Sequence, residues 1–275
     1  MLKKLLKYDL RSVFSFWWIA VIICTSISIV AGISQLVSNY DGWMPQVFTA
    51  ISDGAIFLAY CSYFALMVLM LVLLFIRFFK NFFSDEGYLT FTLPVKRETL
   101  LNSKVLAGFI AMAAAAAVCA LNCSIIFAIP QYEVFRSGEF FSGFQEVMRE
   151  IPDHLVGPLI IMGIEALVLA ALVLLLSVLF LYCCITFGSM LVKKGKLFAS
   201  IGMYYGIGSS IISAMQLILI LSVGSITVWM EPISEWQAPT IVTLILLGGI
   251  LFLAALGAVV YAFTHWMLGR KLNLS

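Results

Sequence analysis

Six apolar runs, each long enough to cross a bilayer as a helix, set what this chain can fold into. They cover about Phe16–Val37, Ala55–Phe79, Val105–Ile129, Pro158–Phe187, Leu197–Met230 and Thr240–Leu268. A hydrocarbon core needs roughly 20 consecutive apolar residues in helical form. No water inside that core can bond to the backbone, so each segment must satisfy its own N–H and C=O groups, as a helix does. Composition agrees: 63% of the 275 residues are apolar, 11% are charged, and the mean hydropathy is +1.09. Soluble domains are about 45–50% apolar and about 25% charged. The expected fold class is therefore an all-α membrane protein: a single transmembrane domain over residues 1–275 with six transmembrane helices.

Charge placement orients those helices. Of the 16 Lys and Arg residues, only Arg136 and Arg149 fall in loops on one side. The rest, from Lys3, Lys4, Lys7 and Arg11 to Arg270 and Lys271, fall on the other side, and the alternation holds across all six runs. The positive-inside rule then places both termini and the second and fourth loops in the cytoplasm. The expected location is a cell membrane, crossed several times. The net charge of +2 gives no reason to expect a nucleic-acid partner. The basic start followed by an apolar stretch resembles a signal peptide, but the stretch is too long and lacks a convincing cleavage site, so it reads as a retained span.

Two further segments carry amphipathic spacing. In residues 1–14, Leu2, Leu5, Leu6, Leu10, Val13 and Phe14 share a face, with the basic residues largely opposite. That pattern predicts an N-terminal interfacial helix on anionic membrane lipid. In the long loop between the third and fourth runs, Phe140, Phe141, Phe144, Val147, Met148 and Ile151 recur at helical spacing. This segment is expected on the outer membrane surface or as a cap on the bundle.

Chemistry-bearing patterns are few. No phosphate-binding G-x-x-x-x-G-K-[ST] loop, zinc-type H-E-x-x-H or G-x-S-x-G elbow is present. His154 and His265 belong to opposite membrane faces and cannot share one metal. Cys24, Cys61, Cys119, Cys123, Cys183 and Cys184 all lie in apolar runs and read as small packing residues. No catalytic residue, metal or cofactor is expected. An intramembrane protease using Ser209 or Ser210 with His265 is the competing class, together with a non-transporting scaffold. Serines in spans usually bond a carbonyl of the preceding turn or a neighbouring helix, which argues against the protease. Glu165 lies inside the fourth run. An intramembrane carboxylate can mark a substrate or proton site. The reading favoured here is a helix-to-helix hydrogen bond or a position near the headgroups, because Glu165 is two turns from Pro158.

The richest polar stretch runs from Arg77 to Lys104. Its phenylalanines, interleaved with charges, predict a cytoplasmic surface helix between the second and third spans. Gly87 can end such a helix and Pro94 suits the start of the next. Its apolar content predicts a docking surface, since exposed apolar patches usually mark partners.

The string Ser84-Asp85-Glu86-Gly87-Tyr88-Leu89-Thr90-Phe91-Thr92-Leu93-Pro94-Val95-Lys96-Arg97, followed by Leu100-Leu101-Asn102-Ser103-Lys104, resembles the signature loop of type-2 ATP-binding-cassette (ABC) exporter permeases. Glu86, Gly87, Leu93, Pro94, Val95, Arg97 and Lys104 occupy the places of that family's acidic-glycine, Leu-x-x-Pro-Val, basic and Ser-Lys elements. Tyr88 stands where many members have threonine, the connection around Glu231–Glu235 is short, and the loop between spans three and four is long. The resemblance implies a permease without its own ATPase activity. It would pair with a second permease subunit, the same or related, and with cytoplasmic ATP-binding-cassette ATPase subunits. The coupling loop would comprise Phe82, Phe83, Asp85, Glu86, Gly87, Tyr88, Leu93, Pro94, Lys96 and Arg97, with the two phenylalanines as apolar anchors.

The orientation is testable by single-cysteine labelling in a background without native thiols. Positions beside Lys96 and Lys194 should be shielded in intact cells, and a position beside Glu146 should label from outside. External labelling beside Lys194 would overturn the orientation.

Overall fold

The computed structural model describes residues 2–38, 45–83, 97–192, 195–208 and 238–270. Among these, 96% are helical and none forms a strand. The helices are α1 (Leu2–Ser38), α2 (Pro45–Phe83), α3 (Arg97–Ala128), α4 (Tyr132–Ser137), α5 (Glu139–Glu150), α6 (Asp153–Leu191), α7 (residues 196–208) and α8 (Ala238–Arg270). Five are long and apolar enough to cross a membrane: α1, α2, α3, α6 and α8. The fifth apolar run is described only through α7, and the remainder of it, including Ser209 and Ser210, lies outside the described residues.

The helices overrun the apolar runs that predicted them. The 37 residues of α1 extend about 55 Å at 1.5 Å per residue, well beyond a hydrocarbon core of about 30 Å. The N-terminal interfacial helix is corrected on this point: no break separates residues 2–14 from the first span, and α1 is one continuous helix. Hydropathy marks where lipid begins, whereas helical hydrogen bonding continues past that level. Of the surface segment expected from Arg77, Arg77–Phe83 are the last turns of α2, and residues 84–96 lie outside the described residues.

Large apolar side chains lie on both the inner and the outer faces: Phe78, Phe82, Met70 and Leu101 are fully buried, while many others are exposed. Buried positions also include Ser28, Ala31, Ala59, Ala111, Ala115, Asn122, Thr186 and Thr264, whereas Phe16, Phe57, Phe64 and Leu167 are each more than 70% exposed. Small and weakly polar residues let membrane helices approach and bond, and large apolar residues can face lipid. Helix α5 forms where spacing predicted it. Gly138, at φ +79°, turns the chain between α4 and α5 in the left-handed region that glycine adopts without strain. The Phe141, Phe144 and Val147 side chains of α5 are exposed among the described residues.

The fold divides into two compact units. The first is built on Lys3–Leu74 with Ala107–Pro152. There Cys24 faces Ser62, and the far end of α1 shares a cavity with Thr49 and Ser52 near the start of α2, so α1 and α2 are antiparallel. Asn122 of α3 meets Cys24, and Ile129 just past α3 lies against Gly32, so α3 runs parallel to α1.

The second unit is built on Phe75–Leu106 with Asp153–Ser275. Helix α7 folds back along α6, with Phe180 beside Tyr204 and Ser200 Oγ donating to the Ile185 carbonyl. Leu169 lies beside Gly249, Leu176 beside Gly257, and Phe187 beside Phe263, so α6 and α8 pack in parallel. The start of α3 runs antiparallel to α8, with Glu98 near His265 and Asn102 bonded to Tyr261.

The α6–α7 crossing depends on Gly188. A Cβ there would stand 2.5 Å from Ser200 Cα and 2.7 Å from its nitrogen, both backbone atoms that cannot rotate away. Gly188→Ala should therefore force the helices apart at a cost of about 1–3 kcal/mol. Gly163, with nothing within 4 Å of its added Cβ, should tolerate alanine or gain up to about 1 kcal/mol from helix propensity. Thermal unfolding of both variants in detergent checks this; equal midpoints would refute the close crossing.

Candidate functional site

The last turns of α2 place Phe75, Phe78, Phe79, Phe82 and Phe83 at helical spacing. Phe78 and Phe82 turn inward, with ring centroids 4.8 Å apart. Phe78 also stacks on Tyr182 of α6, at 4.0 Å and an interplanar angle of 10°. The Tyr182 hydroxyl donates to the Lys104 carbonyl of α3 at 3.2 Å. One buried tyrosine thus touches the helix entering the 84–96 segment and the helix leaving it. Phe82, expected as an apolar anchor, is 2% exposed and packs on Phe78 within its own chain. Phe83 is half-buried and lies 6.1 Å from Phe79, centroid to centroid.

Asp85, Glu86, Gly87, Tyr88, Leu93, Pro94 and Lys96 lie outside the described residues, and Arg97 opens α3. The next turns of α3 carry a polar ladder to α8. Glu98 Oε1 is 3.8 Å from His265 Nε2, and the Tyr261 hydroxyl donates to Asn102 Oδ1 at 2.5 Å. The Tyr261 and His265 rings stack within 11° of parallel. The ion-pair side chains are 41% and 66% exposed, so that pair contributes only about 0–1 kcal/mol. His265, the general base of the protease reading, therefore has Glu98 and Tyr261 beside it.

Glu165 sits half-buried on α6, about 18 Å along the axis from Asp153 by helical rise. Its Oε2 is buried and has no hydrogen-bond partner among the described residues. Leaving such an atom unsatisfied costs about 1–3 kcal/mol. The helix-to-helix hydrogen bond expected for Glu165 is thus not formed through Oε2 with any described residue.

A polar cluster that sequence reasoning missed joins α1, α2 and α3 in the first unit. Ser28 and Tyr63 share a hydroxyl–hydroxyl bond of 2.8 Å. Asn122 Nδ2 donates to Cys24 Sγ at 3.7 Å, Cys24 Sγ lies 3.4 Å from Ser62 Oγ, and Cys119 Sγ donates to the Tyr63 carbonyl at 3.9 Å. The available signal was a lone Asn inside an apolar run, at position 122. Among the described residues no three His, Cys, Asp or Glu side chains group as metal ligands. The described thiols are free. The cluster acts as interhelical hydrogen bonding. Comparison with protein-family models, characterised proteins and solved structures finds no match to this chain.

Two substitutions separate the roles of Tyr182. Tyr182→Phe removes only the bond to the Lys104 carbonyl and should cost about 1 kcal/mol. Tyr182→Ala also removes the stack on Phe78 and leaves a cavity, and should cost about 3–5 kcal/mol. Denaturant titration in detergent checks the difference; equal losses would dismiss the aromatic contact as a structural tie.

Proposed function

We propose that this chain is the permease subunit of an ATP-driven exporter. It works with a second permease subunit, the same or related, and with separate cytoplasmic ATP-binding-cassette ATPase subunits. The observation that carries this reading is the fastening of both ends of the 84–96 segment to the helices beside it. Phe78 before the segment and Lys104 after it meet on Tyr182, and Asn102 bonds to Tyr261. A loop that conveys force needs both its ends fixed to the elements it moves. The resemblance of Glu86, Gly87, Leu93, Pro94, Val95 and Arg97 to the exporter-permease signature supplies the partner class.

Six spans with cytoplasmic termini fit this reading. The parallel packing of α6 and α8 favours a sixth crossing, because the chain between them has to return to the level where α6 began. Helix α7 starts in that direction, antiparallel to α6. In the working cycle, ATP closes the ATPases and their motion displaces the coupling loop. The spans then alternate between inward and outward openings. Asp85, Glu86, Lys96 and Arg97 set the register on the partner by charge, while Phe82 holds the base of the loop within its own chain.

The test is the double variant Glu86→Ala, Arg97→Ala at matched membrane levels. Removing a desolvated charge at a docking site costs about 2–5 kcal/mol, so association with the co-expressed ATPase should weaken more than about tenfold. Cargo-stimulated hydrolysis should fall with it, whereas Glu146→Ala should behave as wild type. Normal ATPase association and transport in the double variant would sink the coupling assignment.

A further inference from the structure

A cavity of ≈ 370 Å³ opens in the first unit where α1 and α3 end, lined by Gln35, Ser38, Thr49, Ser52, Asp53 and Gln131, with Phe127 and Pro130 as its apolar wall. Its size lies in the lower part of the range for small-molecule sites, about 300–1,000 Å³, and far exceeds a bare ion. Its lining offers both kinds of hydrogen-bonding group: the Gln35 and Gln131 amides donate and accept, while two of the hydroxyls have their protons engaged. The Ser38 hydroxyl donates to the Gln35 carbonyl at 2.8 Å, and the Thr49 hydroxyl donates to the Gln46 carbonyl at 3.0 Å. With those protons committed to the backbone, both oxygens present lone pairs. Asp53 adds a carboxylate, and no Lys or Arg is among the described lining residues.

The helix ends add negative character. Parallel helices α1 and α3 both finish at the cavity, at Ser38 and Ala128. The C-terminal end of a helix carries about half a negative charge, although the Gln35 and Ile125 carbonyls already accept from the Ser38 hydroxyl and the Ile129 N–H. Two such ends and, among the described lining residues, the one carboxylate of Asp53 favour a cation that can donate hydrogen bonds or spread its charge. The start of α2 opposes this with its positive end, but Asp53 lies two turns inside that helix. A divalent metal is poorly matched by the described lining, in which a single carboxylate faces a space too wide for close coordination. Phe127 is 60% exposed, so its ring is available to a cationic or apolar group.

We propose that this cavity binds a ligand bearing an ammonium group, seated against Asp53 with its carbon body on Phe127 and Pro130. Such a group belongs either to a free organic amine or to a lipid headgroup. The test uses the full chain in dodecyl maltoside, a neutral detergent without amines, with choline as probe and calorimetric titration as readout. Choline should bind saturably, and its neutral isostere 3,3-dimethylbutanol should bind at least about tenfold more weakly. Asp53→Asn should weaken choline at least about tenfold, the effect of losing one charged contact. Thr49→Val, at an exposed helix position, should weaken it by about threefold. Adding phosphatidylcholine to the micelles separates the sources: displacement of choline identifies a headgroup site, and undisturbed binding identifies a site for free amines. Absence of saturable choline binding, equal binding of the alcohol, or unchanged affinity in both variants would overturn the proposal.

Discussion

Every feature described depends on the need of a backbone in lipid to bond to itself. Water is absent from the hydrocarbon core, so each crossing segment is helical and its polar backbone is hidden. Burial of apolar surface then no longer holds helices together, because lipid is as apolar as leucine. What remains is close contact and hydrogen bonding. This is why Gly188 meets the Ser200 backbone, and why Ser28, Tyr63, Cys24 and Asn122 bond across three helices. Large side chains such as Phe57 and Leu167 can point outward at no cost in lipid, while Phe78 and Phe82 point inward.

Direction follows from the same contacts. Each interhelical bond joins two numbered residues, and a second contact between the same helices shows whether the numbers rise together. In the first unit α1 and α3 agree and α2 opposes them. In the second, α6 and α8 agree and α7 opposes α6. Two neighbours with the same direction cannot be joined by a short turn, so the length of chain between Leu191 and Ala238 has a geometric reason.

The existence of five long helices was legible in the sequence because their apolar runs exceed the thickness of a membrane. Their ends were not. Hydropathy changes at Phe16 and Phe79, but hydrogen bonding continues outward to Leu2 and Phe83, since nothing in either stretch breaks a helix. The amphipathic α5 was legible because its period is local. The burial of Phe82 was not legible, for the opposite reason. A phenylalanine among charges reads the same whether it awaits a partner or packs on Phe78, which itself stacks on a tyrosine 104 positions further along the chain. Likewise the resemblance of the 84–96 segment lay in its own residues, whereas the ties fastening its ends involve Tyr182 and Tyr261, which carry no motif.

Those ties differ in strength, and the difference decides how the second unit responds to a load on the 84–96 segment. The Phe78–Tyr182 stack and the bond from Tyr182 to the Lys104 carbonyl are buried. There a broken hydrogen bond leaves an atom unsatisfied, at about 1–3 kcal/mol, in addition to lost packing. The contacts from Glu98 and Asn102 to α8 are exposed, water can replace each of them, and each contributes about 1 kcal/mol or less. Under load the exposed ladder gives way before the buried tyrosine. The end of α2 and the start of α3 would then move with α6, and α8 would be free to slip against them by breaking two weak contacts. A displacement of the segment joining α2 and α3 would therefore be passed to α6 through buried contacts and to α8 only through exposed ones.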